Sequence, residues 1–202
     1  MLRCYAGICA RATPPEILSL MTRAAFALTK RGYALRSGHA MGADSAFERG
    51  AGRDAQIFLP AVGWRGSASA LHPGTLGAEL WGRARLIAAA HHPAFAGLSA
   101  FVQALHTRNV FQVLGVSLDS PAEFVLCWTA DGEASGGTGQ ALRIAASYGV
   151  PVFNLQRPRE RVHVERHLVL GQPDFITGSA GTSQTKMSGP IAVHVDAADN
   201  LW

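Results

Sequence analysis

The sequence predicts an α/β protein: a Rossmann-like open parallel sheet flanked by helices, with a C-terminal extension. Short apolar runs such as Phe124-Val125-Leu126-Cys127-Trp128 lack polar alternation, which suits strands buried on both faces. These runs alternate with segments of helical apolar spacing, and right-handed crossovers then place helices on both faces of the sheet. Glycine-rich stretches stand where the chain turns from strand to helix, as at Ser135-Gly136-Gly137-Thr138-Gly139-Gln140.

Taken in order, Leu2 to Ala6 reads as the first strand and Gly7 to Ala12 as the loop after it. In Thr13-Pro14-Pro15-Glu16 the threonine can cap a helix, a proline fits its first position and the glutamate completes a capping box. Ile17, Leu20, Met21, Ala24 and Leu28 then share one face, and Gly32 ends the helix. Tyr33 to Arg36 is the second strand, and a helix through Ala51 follows the loop Ser37 to Asp44. Ala55 to Leu59 is the third strand. Residues 61–96, rich in Gly, Pro and Ala, read as an insertion beside the sheet's carboxyl edge, with a helix over Leu76 to Ala90. A helix over Ser99 to Leu114, a strand over Phe124 to Trp128, a helix over Ala141 to Tyr148 and a strand over Val150 to Leu155 complete a domain spanning 1–155.

Beyond it, residues 156–202 change character. Arg157, Arg159, Arg161 and Arg166 form a basic cluster, read as an extended segment. Residues 177–190 form a Gly/Ser/Thr-rich linker, and Ile191, Val193 and Val195 alternate like a half-buried edge strand or an arm to a neighbouring subunit.

The chain has 202 residues, 48% of them hydrophobic and 16% charged, enough for a full core and incompatible with disorder throughout. A formal charge of +4 favours anionic ligands without demanding a polyanion. No apolar stretch approaches the roughly 18 residues of a membrane span, so no membrane partner is expected. Cys4 and Cys127 lie in apolar runs and read as reduced core thiols, which points to the cytoplasm, while Cys9 falls in a loop. Adjacent His91 and His92 face different ways on a helix. There is no Cys-x-x-Cys, no Gly-x-Ser-x-Gly and no complete Walker motif, so no metal and no cofactor are expected.

Ligands of open parallel sheets bind outside the carboxyl ends of the strands. Four loops lie there: Gly7 to Arg11, Ser37 to Asp44, Thr129 to Gln140 and the turn around Asn154. In the first, Gly7 permits close approach and Arg11 pairs with a phosphate. In the second, Ser37, Gly38, Gly42 and Ala43 bring the backbone to the ligand and Asp44 holds a sugar hydroxyl. In the third, Thr129, Ser135, Gly136, Gly137, Thr138 and Gly139 cradle an anion at a helix start. Arg108 and Asn109 either reach the same ligand or, with His106, are satisfied core and surface groups. The partner implied is a nucleotide-type small molecule.

Tyr5-Ala6-Gly7-Ile8-Cys9-Ala10-Arg11, Ser37-Gly38-His39-Ala40-Met41-Gly42-Ala43-Asp44, Arg108-Asn109 and Gly136-Gly137-Thr138-Gly139 together resemble the SLOG superfamily over about residues 2–155. That group unites the DNA-processing DprA (Smf) proteins with the LOG "lysine decarboxylase-like" phosphoribohydrolases and includes small phage proteins. The resemblance implies the same Rossmann-like sheet, a nucleotide-type pocket and homo-oligomers. It matches Arg108, in His106-Thr107-Arg108-Asn109, to the LOG catalytic arginine. It departs at Cys9, where the family pattern has a second glycine, and at Gln140-Ala141-Leu142, where LOG enzymes carry glutamates. Three readings follow: binding of a nucleotide or nucleotide-derived phosphorylated ligand in a sensing or processing role, DprA-like binding of single-stranded DNA, and LOG-like hydrolysis of nucleoside monophosphates. For the last, Asp44, Glu48, Asp131 or Glu133 would have to replace the missing carboxylate.

Overall fold

In the computed structural model, residues 3–8 and 12–172 are described. Arg11, Cys9, the 177–190 linker and the Ile191 to Val195 alternation therefore lie outside the described residues.

Five parallel strands form one sheet in the order β3-β2-β1-β4-β5, with β1 Arg3–Gly7, β2 Tyr33–Ser37, β3 Ala55–Ile57, β4 Val125–Cys127 and β5 Val152–Asn154. The central strand pairs with β2 through Tyr5 against Leu35 and with β4 through Ala6 against Val125. The strand order reverses between β1 and β4, and the helices that follow these two strands, Pro15–Lys30 and Gly136–Ser147, lie on opposite faces of the sheet, the arrangement in which open parallel sheets bind ligands at the carboxyl edge.

Two-residue alternation divides the strand side chains between two cores. Tyr5, Leu35 and Leu126 face α1 (Pro15–Lys30) and α2 (Ala43–Ala51), where Phe47 and Phe124 pack edge-on and stacked against Tyr5. Ala6, Val125 and Cys127 face α5 (Ala100–Leu114) and α6 (Gly136–Ser147). Burying each large side chain of this kind is worth about 1.5–3 kcal/mol. Cys4 and Cys127 are buried thiols. Among the described residues no helix is long and apolar enough to cross a membrane.

Four local readings change. The N-cap of α1 is Pro14, not Thr13, and no side chain caps that helix, because Pro15 takes its first position. Residues 61–96 hold α3 (Pro73–Leu76) and α4 (Ala78–Ala90), and α4 packs on the outside of α5 and α6 through Ala84 and Ala88. This cover explains why α5 is buried without interruption from Leu105 to Leu114, including its polar residues. The glycines of the 136–139 run are the first turn of α6 and not a loop before it.

Finally, the arginines after residue 155 do not line an extended segment. Pro158–Val164 is a helix, α7, continued by a π-helical turn over Glu165–Val169. Val164 and Leu168, four residues apart, join the core beside α1, so this packed body runs past residue 155. Arg157 is taken up by Glu160 at 3.1 Å and Glu133 at 3.5 Å.

Candidate functional site

The loop after β2 is pinned at three consecutive residues, each by a different charged side chain. Gly38 lies against the Arg108 guanidinium so closely that an added Cβ would fall 1.1 Å from Nη1. The His39 backbone N–H donates to Glu48 Oε1 at 3.0 Å, and the His39 ring Nδ1 lies 2.7 Å from Oε2. The Ala40 N–H donates to Asp44 Oδ2 at 3.1 Å. Asp44 and Glu48 manage this together because they stand one turn apart on α2 and face back toward the same loop. Glu48 Oε1 also accepts the Ser37 hydroxyl at 2.7 Å. His39 adopts φ 60°, a left-handed conformation that its bonds to Glu48 hold in place. Gly42 has φ 87° at the N-cap of α2, and Ala43 is fully buried beneath the turn.

Beneath the loop lies a buried ion pair. Arg108 Nη1 is 3.5 Å from Asp44 Oδ2, and each side chain is only 4% exposed. Burial pushes the Asp44 carboxyl up to about 6, against the downward pull of Arg108. Burial likewise lowers the Arg108 guanidinium, against the pull of Asp44. Among the described residues, Arg108 Nε and Nη1 have no hydrogen-bond partner. The Trp64 ring covers the guanidinium, with its centroid 5.7 Å from Cζ. Trp64 sits in a tight turn between Gly63 and Gly66, and Arg65 within that turn has φ 53°.

The turn from β4 to α6 leaves the same carboxyl edge of the sheet. Asn154 Nδ2 donates to the Thr129 hydroxyl at 2.7 Å, and that hydroxyl donates to the Glu133 carbonyl at 2.8 Å. The Ser135 hydroxyl donates to Asp131 Oδ1 at 2.8 Å, beside the Glu133 N–H at 2.9 Å. These two bonds hold the Asp131 carboxyl below its ordinary range. Thr129 and Ser135 thus shape the turn, and no side chain caps α6, whose N-cap is Ser135. An α-helix start in this state directs free amides and a partial positive charge outward. Gly136 has φ 57° in open space, whereas a Cβ on Gly139 would fall 2.3 Å from the Ala134 carbonyl oxygen. Thr138 and Gly139 are buried.

Helix α5 touches both segments. Arg108 reaches the β2 loop, while His106 Nδ1 and Asn109 Nδ2 meet Gln140 Oε1 on α6 at 3.3 and 3.2 Å. Gln140 Nε2 returns a bond to the His106 carbonyl at 3.3 Å. Gln140, at the position where the resemblance expects an acid, is a fully buried amide joining two helices. Ser37, Gly38, Gly42, Ala43, Asp44 and Arg108 are thus gathered in one place. Asn109 is engaged in the core, and Gly7 is a packing glycine whose Cβ would fall 2.6 Å from the Phe47 ring. Sequence reasoning assigned no role to His39 or to the Gln140 bridge. The signal available was the one-turn spacing of Asp44 and Glu48 after Ser37-Gly38-His39.

Among the described residues, no group of three or more His, Cys, Asp or Glu is placed to hold a metal. No family model, curated protein or solved structure matches this chain.

Two buried groups set opposing pH dependences. Burial, the His92 ring and nearby Arg108 and Arg143 lower His106 from 6.5 to about 4, against the bond from Gln140. The unfolded chain therefore takes up a proton that folded His106 refuses, and stability is lost as pH falls from 6.5 toward 4. Asp44 is raised from 3.8 to about 6, so its contribution is complete at the lower value and is lost as pH rises through the upper. Each window is worth about 3 kcal/mol at most. Denaturant titrations should therefore show Asp44→Asn losing stability more steeply than wild type on acidification. His106→Gln should show the reverse tilt. Parallel curves for all three proteins would refute these assignments.

Proposed function

We propose that the chain binds a nucleotide, or a phosphorylated ligand derived from one, at the carboxyl edge of its sheet, in a sensing or processing role. The observation that carries this reading is Arg108. Its charge faces Asp44, yet among the described residues its Nε and Nη1 find no hydrogen-bond acceptor; buried donors of this kind are costly to hold and occur where a missing partner completes them. Arg108 stands at the loop after β2, against the one glycine whose missing side chain makes room for the guanidinium. The uncapped start of α6 after β4 supports the same reading, because it supplies the phosphate half of an anion site. The Trp64 ring beside Arg108 offers a planar surface to a base.

Asp44 favours a second reading on the same site, hydrolysis of an N-glycosidic bond. A carboxyl near 6 beside an arginine can exchange a proton at neutral pH. Binding ranks first because Gln140 is an amide committed to His106 and Asn109. Arg157 gives the DNA-binding reading no support, since it is paired with Glu160 and Glu133.

A thermal-shift panel of nucleoside monophosphates, cyclic nucleotides and NAD-type compounds tests the proposal. A binder at roughly a hundredfold above its Kd adds about 2.7 kcal/mol, which raises Tm by about 5–10 °C for a chain of this size. Gly38→Ala, which displaces the guanidinium, should abolish the shift. A panel without any shift ends the reading, and release of free base that is lost in Arg108→Ala would move it to hydrolysis.

A further inference from the structure

A groove of about 590 Å³ runs between α1, α2 and the Glu165–Val169 turn. Its lining sets Arg23, Phe26, Lys30 and Arg31 of α1 against Arg49 of α2, with no carboxylate among them, and Val169 closes one side. Both helices start at the carboxyl ends of the strands and run back, so the groove between their later turns lies toward the opposite edge of the sheet.

The four cations and the ring are all exposed. Arg23 shares Glu165 at 3.5 Å, and Arg31 donates to the His167 carbonyl. The ion pairs among the described residues leave out Lys30 and Arg49. Phe26 is 56% exposed, on a helix whose other large apolar side chains turn inward, and Lys30 Nζ sits 5.3 Å from its ring centroid. The floor is backbone: a Cβ on Gly50 would fall 2.2 Å from the Thr22 carbonyl oxygen, so the two helices meet there without filling the space above.

The sequence contains a segment of complementary character. The whole chain is formally +4, yet residues 173–202, outside the described residues, carry Asp174, Asp196 and Asp199 against the single Lys186. Leu201 and Trp202 follow Asp199 almost at once, so carboxylates and large apolar groups come together as cations and a ring do in the groove. Position favours the same pairing. Val169 lines the groove and the described residues run to Gln172, so the segment is tethered at the groove's rim. From Gln172 to Asp196 the chain can span up to about 80 Å, far more than the length of α1.

We propose that residues 196–202 dock in the groove of their own chain, Asp196 and Asp199 on Lys30 and Arg49 and the Leu201-Trp202 pair against Phe26. Tethering presents the segment at an effective concentration on the order of millimolar, so weak single contacts suffice. The docked segment covers these cations. Other occupants fit less well. A second copy docked symmetrically, groove to groove, would set cations against their own likeness. A separate acidic polypeptide would have to displace a segment that is already attached.

Carbodiimide cross-linking of the full chain tests this, because it joins an amine to a carboxylate only where the two touch. Peptide mapping should find Lys30 joined to Asp196 or Asp199, in a yield that falls by about fivefold or more at high salt, where exposed charges are screened. In an equal mixture of 15N-labelled and unlabelled protein, each joined pair should carry one label state only. Fluorescence anisotropy of a labelled peptide of residues 190–202 gives a second measure. Asp196→Asn with Asp199→Asn in the full chain should tighten peptide binding by about tenfold or more, since the groove is then vacated by its own segment. In that background Lys30→Glu with Arg49→Glu should abolish binding, and Phe26→Ala should weaken it by about fivefold. These side chains are exposed, so an unchanged Tm confirms that each variant folds. Absence of a Lys30 link to either aspartate overturns the proposal, as does peptide binding that the two Asp→Asn changes leave unaltered. Pairs of mixed label also overturn it, assigning the groove to a segment of a second copy. Equal affinity for polyglutamate of the same length overturns it too, by making the groove a site for acidic polypeptides at large.

Discussion

Arg108→Met should cost about 3–5 kcal/mol of folding stability at mildly alkaline pH, the range for removing one partner of a buried ion pair. The loss comes from what is left behind. Asp44, 4% exposed and 3.5 Å from the guanidinium, would be a buried carboxylate without its counter-charge. It can escape by taking up a proton, which its burial already favours. Without Arg108 that carboxyl rises further, so the penalty should shrink as the pH is lowered toward about 6 and level off below it. Asp44→Asn with Arg108→Met removes both charges, and should recover most of the loss, because a neutral pair of similar volume avoids two desolvation costs. Urea unfolding of wild type and the two variants at two pH values decides the matter. If the single and the double variant are equally unstable at both, the Arg108–Asp44 pair is not the cause. Nucleotide-induced stabilisation should vanish in both variants, because each lacks the guanidinium.

Gly139→Ala should destabilise the protein by about 2–3 kcal/mol, the upper part of the range for overpacking a tight interior. In an unconstrained helix the same change gains up to about 1 kcal/mol. The sign reverses here because the new methyl group would fall 2.3 Å from a backbone oxygen, that of Ala134, which has no rotamer to change. Moving that carbonyl also strains the Arg143 Nη1 bond to it at 3.1 Å. Gly136→Ala offers a contrast, since its Cβ would meet nothing and only its φ of 57° opposes a side chain. Its cost should be about 1–2 kcal/mol. A calorimetric Tm series across the two variants would detect the difference. A Gly139→Ala protein as stable as wild type would show that the β4–α6 turn yields where it is drawn tight.

The fold was legible because its signals are local. Val125-Leu126-Cys127 and Tyr33-Ala34-Leu35 are short apolar runs, and turn glycines such as Gly32 separate them from helices. The site was legible in membership and less so in mechanism. Gly38 reads as a place of close approach in the sequence, yet only the crossing of α5 over β2 reveals that the approaching group is Arg108. Gly139 reads as a cradle glycine, and its closest neighbour is the chain's own turn. Asn109 falls in the core because α4 covers α5, and α4 gave little warning: Ala84 and Ala88 carry its contact, and alanines mark no strong stripe. The arginines at 157–161 misled in the other direction. Pro158 stands at a helix start and Val164 and Leu168 share a face, a helical signature that the density of charge concealed.

The strand order also governs how the chain can assemble as it leaves the ribosome. β1 finds β2 within the same early hairpin-free unit, and α1 and α2 cover one face of that pair as soon as they emerge. Its other edge must wait for Val125, the partner of Ala6, and the second face for α5 and α6. Until then the central strand of the finished protein is a temporary margin, apolar and unpaired. The nascent chain is most exposed to misassociation during the synthesis of residues 61–124, the interval when β1, β2 and β3 exist and β4 does not.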